Sequence, residues 1–140
     1  MREKLLICGS LALLAFGITF VGCGKREAKQ PKIDPHSAEG LVVQIMALNG
    51  VLQEGVKAKD YSYVDDRAYY LQGVVQALEG KLDPGKKQQL SGLCVEIRRV
   101  AEELDHAAGR KHDVATTSSM AKLDGLLQDL NKQYHQGIKQ

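Results

Sequence analysis

Histidine and carboxylate side chains occur at metal-ligand spacing near residue 105. Glu103 and His106 have the Glu-x-x-His spacing with which helical bundles hold di-iron centres. Such a centre needs two copies of this motif and two further carboxylates from other helices, and the chain carries one copy. Asp105, His112 and Asp113 follow close by, around a turn. The pattern therefore favours solvated residues at a helix end over a metal centre.

Other chemistry-bearing residues give weaker signals. Ser118 and Ser119 lie in a polar run without a convincing His or Asp partner for nucleophilic catalysis. Cys94 and Tyr134 fall at positions typical of buried packing residues. The chain has 140 residues, a net charge of +2, no Trp and no basic block of the kind that binds nucleic acid. The lack of a catalytic arrangement makes an enzyme the weakest of the functional options, and the charge pattern argues against a nucleic-acid-binding protein.

The N-terminus has the pattern of a secretory signal. Two basic residues precede an apolar run from Leu5 to Val21, which ends at Gly22-Cys23. This ending resembles the bacterial lipobox, although Phe20 stands where leucine is usual. The resemblance implies removal of residues 1–22 and lipidation of Cys23. The alternatives are a plain signal peptide or a membrane anchor with an incidental cysteine.

A lipidated Cys23 would fix several properties of the mature chain. Residues 23–34 would form a tether spanning roughly 20 Å, whose basic residues could rest on anionic headgroups. Cys94 would be left without an intramolecular disulfide partner. Removal of residues 1–22 takes away two bases and one acid, so the net charge falls from +2 to +1. In a Gram-negative cell, Gly24 after the cysteine would imply the periplasmic face of the outer membrane.

The chain from residue 35 to 140 predicts one all-α domain. Apolar residues recur at spacings of three and four and never alternate over a strand length. Four helices are expected, joined by short turns, so neighbours should be antiparallel and form an up-down-up-down four-helix bundle. Their expected ranges are 35 or 37 to 58, 61–81, 84–109 and about 113 onwards. The expected caps are Asp34 or Ser37 for the first helix, and Asp60, Asp83 and Asp113 for the others.

The end of the fourth helix carries a family resemblance. Tyr134-His135-Gln136 resembles a stretch in the small periplasmic b-type cytochromes, which are four-helix bundles, and more distantly in cytochrome c-prime. The resemblance implies non-covalent haem b, with His135 and Met46 as axial ligands and electron transfer to a redox partner as the function. Asn131 and Tyr134 stand where c-type members have Cys-x-x-Cys, so covalent attachment is excluded.

Helix geometry leaves a rival interpretation open. With helix four beginning at Asp113, Met46 and His135 differ in depth by about 12 Å, too much for two ligands of one iron. The mismatch disappears only if the helix begins near Ser118. The rival is a haem-free envelope lipoprotein that acts as a scaffold or protein-binding module. Its helix glycines would allow either close packing of the helices or a partner helix, and they are Gly40, Gly50, Gly55 and Gly73.

Overall fold

A computed structural model of this protein describes residues 33–136. The expectations for the signal segment, Cys23 and most of the tether concern residues outside this range. The described residues form four α-helices and contain no β-strand. The helices are α1 (Ala38–Ala58), α2 (Tyr61–Lys81), α3 (Pro84–Gly109) and α4 (Asp113–Gln136).

Three helices begin at the side-chain caps that the sequence predicts. The Ser37 hydroxyl accepts the Gly40 N–H at 3.0 Å, the Asp60 carboxylate accepts the Tyr63 N–H at 3.2 Å, and Asp83 accepts the Lys86 N–H at 2.9 Å. Each contact satisfies a backbone donor that has no partner within its own helix. The start of the first three helices is therefore encoded locally.

The start of α4 differs from the prediction. Asp113 is the first helical residue rather than the cap, and the His112 imidazole Nδ1 accepts the Ala115 N–H at 3.2 Å. Asp113 instead accepts hydrogen bonds from the Lys59 ammonium and the Tyr61 hydroxyl, both at 2.8 Å. These contacts join the α1–α2 turn to the beginning of α4, because both lie at the same end of the bundle.

The helices pack as an antiparallel four-helix bundle. α1 contacts α2 and α4, and α3 contacts the same two helices. Each connection is two or three residues long, which is the length that places consecutive helices side by side in opposite directions. The interior is a single apolar cluster built from the stripes of all four helices, and its largest fully buried side chains include Ile45, Leu52, Leu71, Leu78, Leu90, Ile97, Leu104, Leu123, Leu127 and Leu130.

One glycine sets the approach of α1 to α2. A Cβ atom at Gly55 would lie 2.9 Å from a methyl group of Val64 and 3.2 Å from the Tyr63 ring. Val64 is fully buried, so it has no room to move away. Gly55 therefore allows the two helices to come together just before the turn that joins them. None of the described helices is both long and apolar enough to cross a bilayer.

Candidate functional site

A buried polar contact closes the bundle between α1 and α4. Asn49 is only 3 % exposed, and its amide nitrogen donates to Asp124 Oδ1 at 2.6 Å. The Gln53 amide donates to the same oxygen at 2.8 Å. Such a pairing fixes the register of the two helices, because sliding either one would leave buried polar atoms without partners. The α1–α4 interface is thus locked with Asn49 level with Asp124.

This register also places the two residues predicted to bind haem. Met46 is half-buried and lies one turn from Asn49, whereas His135 is exposed and lies eleven residues beyond Asp124. Because α1 and α4 run in opposite directions, both residues lie on the same side of the Asn49–Asp124 contact. They differ in depth by about 12 Å at a rise of 1.5 Å per residue. The structure does not bring them to one iron.

The C-terminal turn of α4 presents its tyrosine inward and its histidine outward. Tyr134 is buried to 6 % exposure, and the Lys86 ammonium lies 4.0 Å from the centre of its ring. His135 packs edge-on against the same ring, with the ring centres 5.2 Å apart. With α4 beginning at Asp113 rather than near Ser118, the residues as placed do not fit a haem held between Met46 and His135.

Metal and nucleophile chemistry find little support in the described residues. Among residues 33–136, no three His, Cys, Asp or Glu side chains lie together as a metal site would require. Glu103 pairs with Arg99 on the helix surface, and His106 lies 3.7 Å from Glu102. The Cys94 thiol is buried in the core, and this burial raises its pKa to about 11. It therefore stays protonated and poorly nucleophilic at neutral pH.

Two carboxyl groups meet where α2 and α3 pack together. Burial and a hydrogen bond with Asp65 raise the pKa of Asp105 to about 6. A Cβ atom added to Gly109 would lie 3.4 Å from an Asp65 carboxylate oxygen, so the end of α3 leaves room for this pair. Two close carboxyl groups disfavour simultaneous ionisation. The contact is a source of pH dependence in the fold.

A broad groove over the outer face of α2 is the most distinctive surface. It has a volume of about 1160 Å³ and is bordered by α1 on one side and α3 on the other. Seven large apolar side chains are exposed among residues 33–136, and five of them line this groove. Those five are Ile33, Val43, Tyr69, Tyr70 and Val95.

Two of the α2 residues that line the groove are small. Gly73 and Ala77 lie between the two bordering helices, and a Cβ atom at Gly73 would meet nothing within 4 Å. Tyr69, 72 % exposed, stands one turn before Gly73. The Gln44 amide donates a hydrogen bond to the Tyr70 hydroxyl at 2.8 Å, and this bond restricts the position of the Tyr70 side chain. The groove thus combines small residues of α2 with a protruding Tyr69 and with a Tyr70 that is held by a hydrogen bond.

The charged side chains at the border of the groove are paired within the chain. Arg98 lies 3.2 Å from Glu79, and Arg99 pairs with both Glu96 and Glu103. These contacts offset the two positive charges, so the groove does not present a field that selects anions. The apolar and aromatic side chains are therefore what this surface offers to a ligand. Such a lining suits the surface of another protein, since Tyr and Arg are enriched at protein–protein interfaces.

Only part of this site is predictable from the sequence. The helix glycines, Gly73 among them, predict close helix packing or a partner helix, whereas the sequence pattern does not single out the tyrosines and valines around Gly73. The signal was present in the outward positions of α2, where Tyr69 and Tyr70 occupy a face opposite the core stripe. No protein-family model, curated protein or solved structure matches this chain.

Proposed function

We propose that this chain is a lipid-anchored envelope protein whose helical bundle is a protein-binding scaffold. The groove over α2 is its binding surface. The observation that carries this proposal is the gathering of five of the seven large exposed apolar side chains at one groove. Scattered apolar side chains are ordinary on protein surfaces, whereas a contiguous patch marks an interaction site.

The character of the lining favours a protein as the ligand. The small residues Gly73 and Ala77 admit a helix or a side chain close to the backbone of α2. Tyr69 and Tyr70 supply large contact areas, and the Gln44 hydrogen bond holds Tyr70 in place before a partner arrives. A preorganised aromatic side chain loses less entropy on binding than a mobile one. The groove has no charged centre that would suit a small anion.

The anchor part of the proposal rests on the N-terminal pattern that ends at Gly22-Cys23. Lipidation at Cys23 would hold the bundle at a membrane surface and confine it to two dimensions. Confinement raises the effective concentration of any partner held at the same surface. A shallow groove with moderate affinity is then sufficient for function.

Two experiments on the full chain test the two parts. Labelling cells with a fatty-acid analogue is expected to mark the wild-type chain and to leave Cys23→Ser unmarked. For the groove, a photo-crosslinking amino acid at position 69 is expected to give a discrete adduct in intact cells. The matched control is the same group at Val114, which is 76 % exposed and remote from the groove lining. Equal labelling of the wild type and Cys23→Ser would overturn the proposed lipid anchor. Equal adduct yields at positions 69 and 114 would overturn the proposed binding groove.

A further inference from the structure

The outer face of α2 has the spacing of a helix-pairing seam. Six exposed positions follow one another at intervals of four, three, four, three and four residues, which is the spacing of a coiled-coil contact line. This line runs along the side of α2 opposite the buried stripe of Val64, Leu71 and Leu78. The six positions are Ser62, Asp66, Tyr69, Gly73, Gln76 and Gly80.

The two halves of this seam differ in size. The first half carries the protruding Tyr69 with Tyr70 beside it. The second half carries Gly73 and Gly80 on either side of Gln76, with Ala77 beside the seam, and a Cβ atom at either glycine would meet nothing within 4 Å. Protrusions before Gly73 and open space after it are complementary when one helix is turned end over end against its copy. A surface of this kind fits itself.

We infer that the groove is occupied by α2 of a second copy of this chain, packed antiparallel about a two-fold axis level with Gly73. The inference rests on the proposed function, because it names the partner that the groove binds. In this register Tyr69 of each copy is level with Ala77 of the other helix and next to its Gln76, and Gly73 and Gly80 lie about one turn to either side. Tyr70 lies against the second copy's Ala77. Glycine at the axis lets the two backbones come close.

Charge complementarity supports the antiparallel direction. Asp66 lies seven residues before Gly73 and Lys81 eight residues after it, so the pairing brings them within about 1.5 Å of the same level. At 3.6 residues per turn, both project from the same side of the seam. Neither makes an ion pair with another described residue. The two-fold axis therefore creates two identical Asp66–Lys81 pairs.

A parallel arrangement of the same helices is disfavoured. It would place Tyr69 beside Tyr69 and leave the open space at Gly73 and Gly80 facing itself. It would also place Asp66 beside Asp66, and like charges at one level repel. The antiparallel arrangement satisfies both the size pattern and the charge pattern with one register.

Cysteine crosslinking in the full-length lipoprotein tests the axis directly. In Gly73→Cys the two introduced thiols face each other, so mild oxidation of intact envelopes is expected to give a disulfide-linked species of twice the chain mass. Gly50→Cys is the matched control, since Gly50 is also an exposed helix glycine with open space around it but lies outside the groove lining. Equal dimer yields for the two variants would overturn the inference.

A charge exchange tests the register without altering Gly73 or Ala77. Lys81→Glu and Asp66→Lys are each expected to weaken dimerisation about tenfold, because each turns two attractions into repulsions. The double variant is expected to return to within about threefold of the wild type, since the attractions are restored with reversed sign. Sedimentation of the detergent-solubilised full chain measures the dissociation constants. Additive losses in the double variant would contradict the proposed pairing.

The outcomes separate this inference from the proposed function. A crosslink from position 69 to a different protein, with no Gly73→Cys dimer, would leave the binding scaffold standing and reject the second copy as its partner. Absence of both crosslinks would reject the two together. A Gly73→Cys dimer accompanied by restoration in the charge exchange supports both.

Discussion

The α1–α4 interface and the outer face of α2 show two opposite uses of a helix surface. At the first, Asn49, Gln53 and Asp124 join two helices through hydrogen bonds that fix one register. At the second, Gly73 and the exposed tyrosines have no helix against them within residues 33–136. The first surface joins two helices of the same bundle, although the buried Asn49 Oδ1 keeps no hydrogen-bond partner among the described residues. The second is the surface at which we propose that a partner binds.

The largest expected effect comes from breaking the closed interface. Asp124→Ala should lower the free energy of unfolding by about 1–3 kcal/mol, because it leaves the buried Asn49 amide without its acceptor. Urea denaturation followed by circular dichroism measures this change. Asp129→Ala, at an exposed position of the same helix, should stay within about 0.5 kcal/mol of wild type.

A double replacement sharpens the interpretation of that loss. Asn49→Leu combined with Asp124→Leu should recover most of the stability, since an apolar pair removes the donor along with the acceptor. An equally large loss in the double variant would show that the contact does more than satisfy buried polar atoms.

The same substitution can be compared at two glycines, Gly55 in the packed α1–α2 contact and Gly73 on the outer face of α2. Gly55→Ala should lower the free energy of unfolding by about 1–3 kcal/mol, because the added methyl group meets the immobile Val64 side chain. Gly73→Ala should raise that of the monomer by about 0.5–1 kcal/mol, since alanine is the better helix former and the site is open. Thermal or urea unfolding at low protein concentration gives both values. A change of the same sign in the free energy of unfolding for both substitutions would contradict the proposed difference between a packed and an open glycine.

The carboxyl pair at the α2–α3 contact predicts a modest pH dependence. The pKa of Asp105 is raised to about 6 from its ordinary value of 3.8, so its contribution to stability is present below pH 4 and is lost as pH rises through 6. The free energy of unfolding should fall by about 1 kcal/mol over this range, after allowance for solvent screening. Asp105→Asn should flatten the profile measured by urea denaturation, and Asp129→Asn should leave it unchanged.

The smallest change is expected in the absorbance spectrum when haemin is added to the protein. Haemin titration should give no Soret band that depends on His135, because Met46 and His135 lie about 12 Å apart in depth. A band that is lost in both His135→Ala and Met46→Ala would restore the electron-transfer hypothesis.

The bundle was predictable from sequence wherever the determinants are local. Ser37, Asp60 and Asp83 cap their helices with contacts three residues along the chain, and the apolar stripes give the core. The turns were less predictable, because Lys59 and Lys111 adopt the left-handed conformation usually taken by glycine. No local pattern encodes either choice.

Contacts between segments that are distant along the chain could not be predicted from the sequence. Asn49 meets Asp124 across 75 residues, and no spacing rule pairs them. The groove likewise depends on α1 and α3 standing on either side of α2. The outward tyrosines of α2 were visible in the helical period, but their significance appears only once five apolar side chains are seen to converge on one surface.

Radical footprinting of the tyrosines is the most direct test that the open face of α2 is a binding surface. The full-length protein is oxidised in intact envelopes and again after detergent solubilisation and dilution, and the modification of each tyrosine is measured by mass spectrometry. Tyr69 and Tyr70 should be protected in the envelope and become reactive on dilution, while Tyr63, outside the groove lining, should change little. Equal reactivity of Tyr69 in both states would contradict the account.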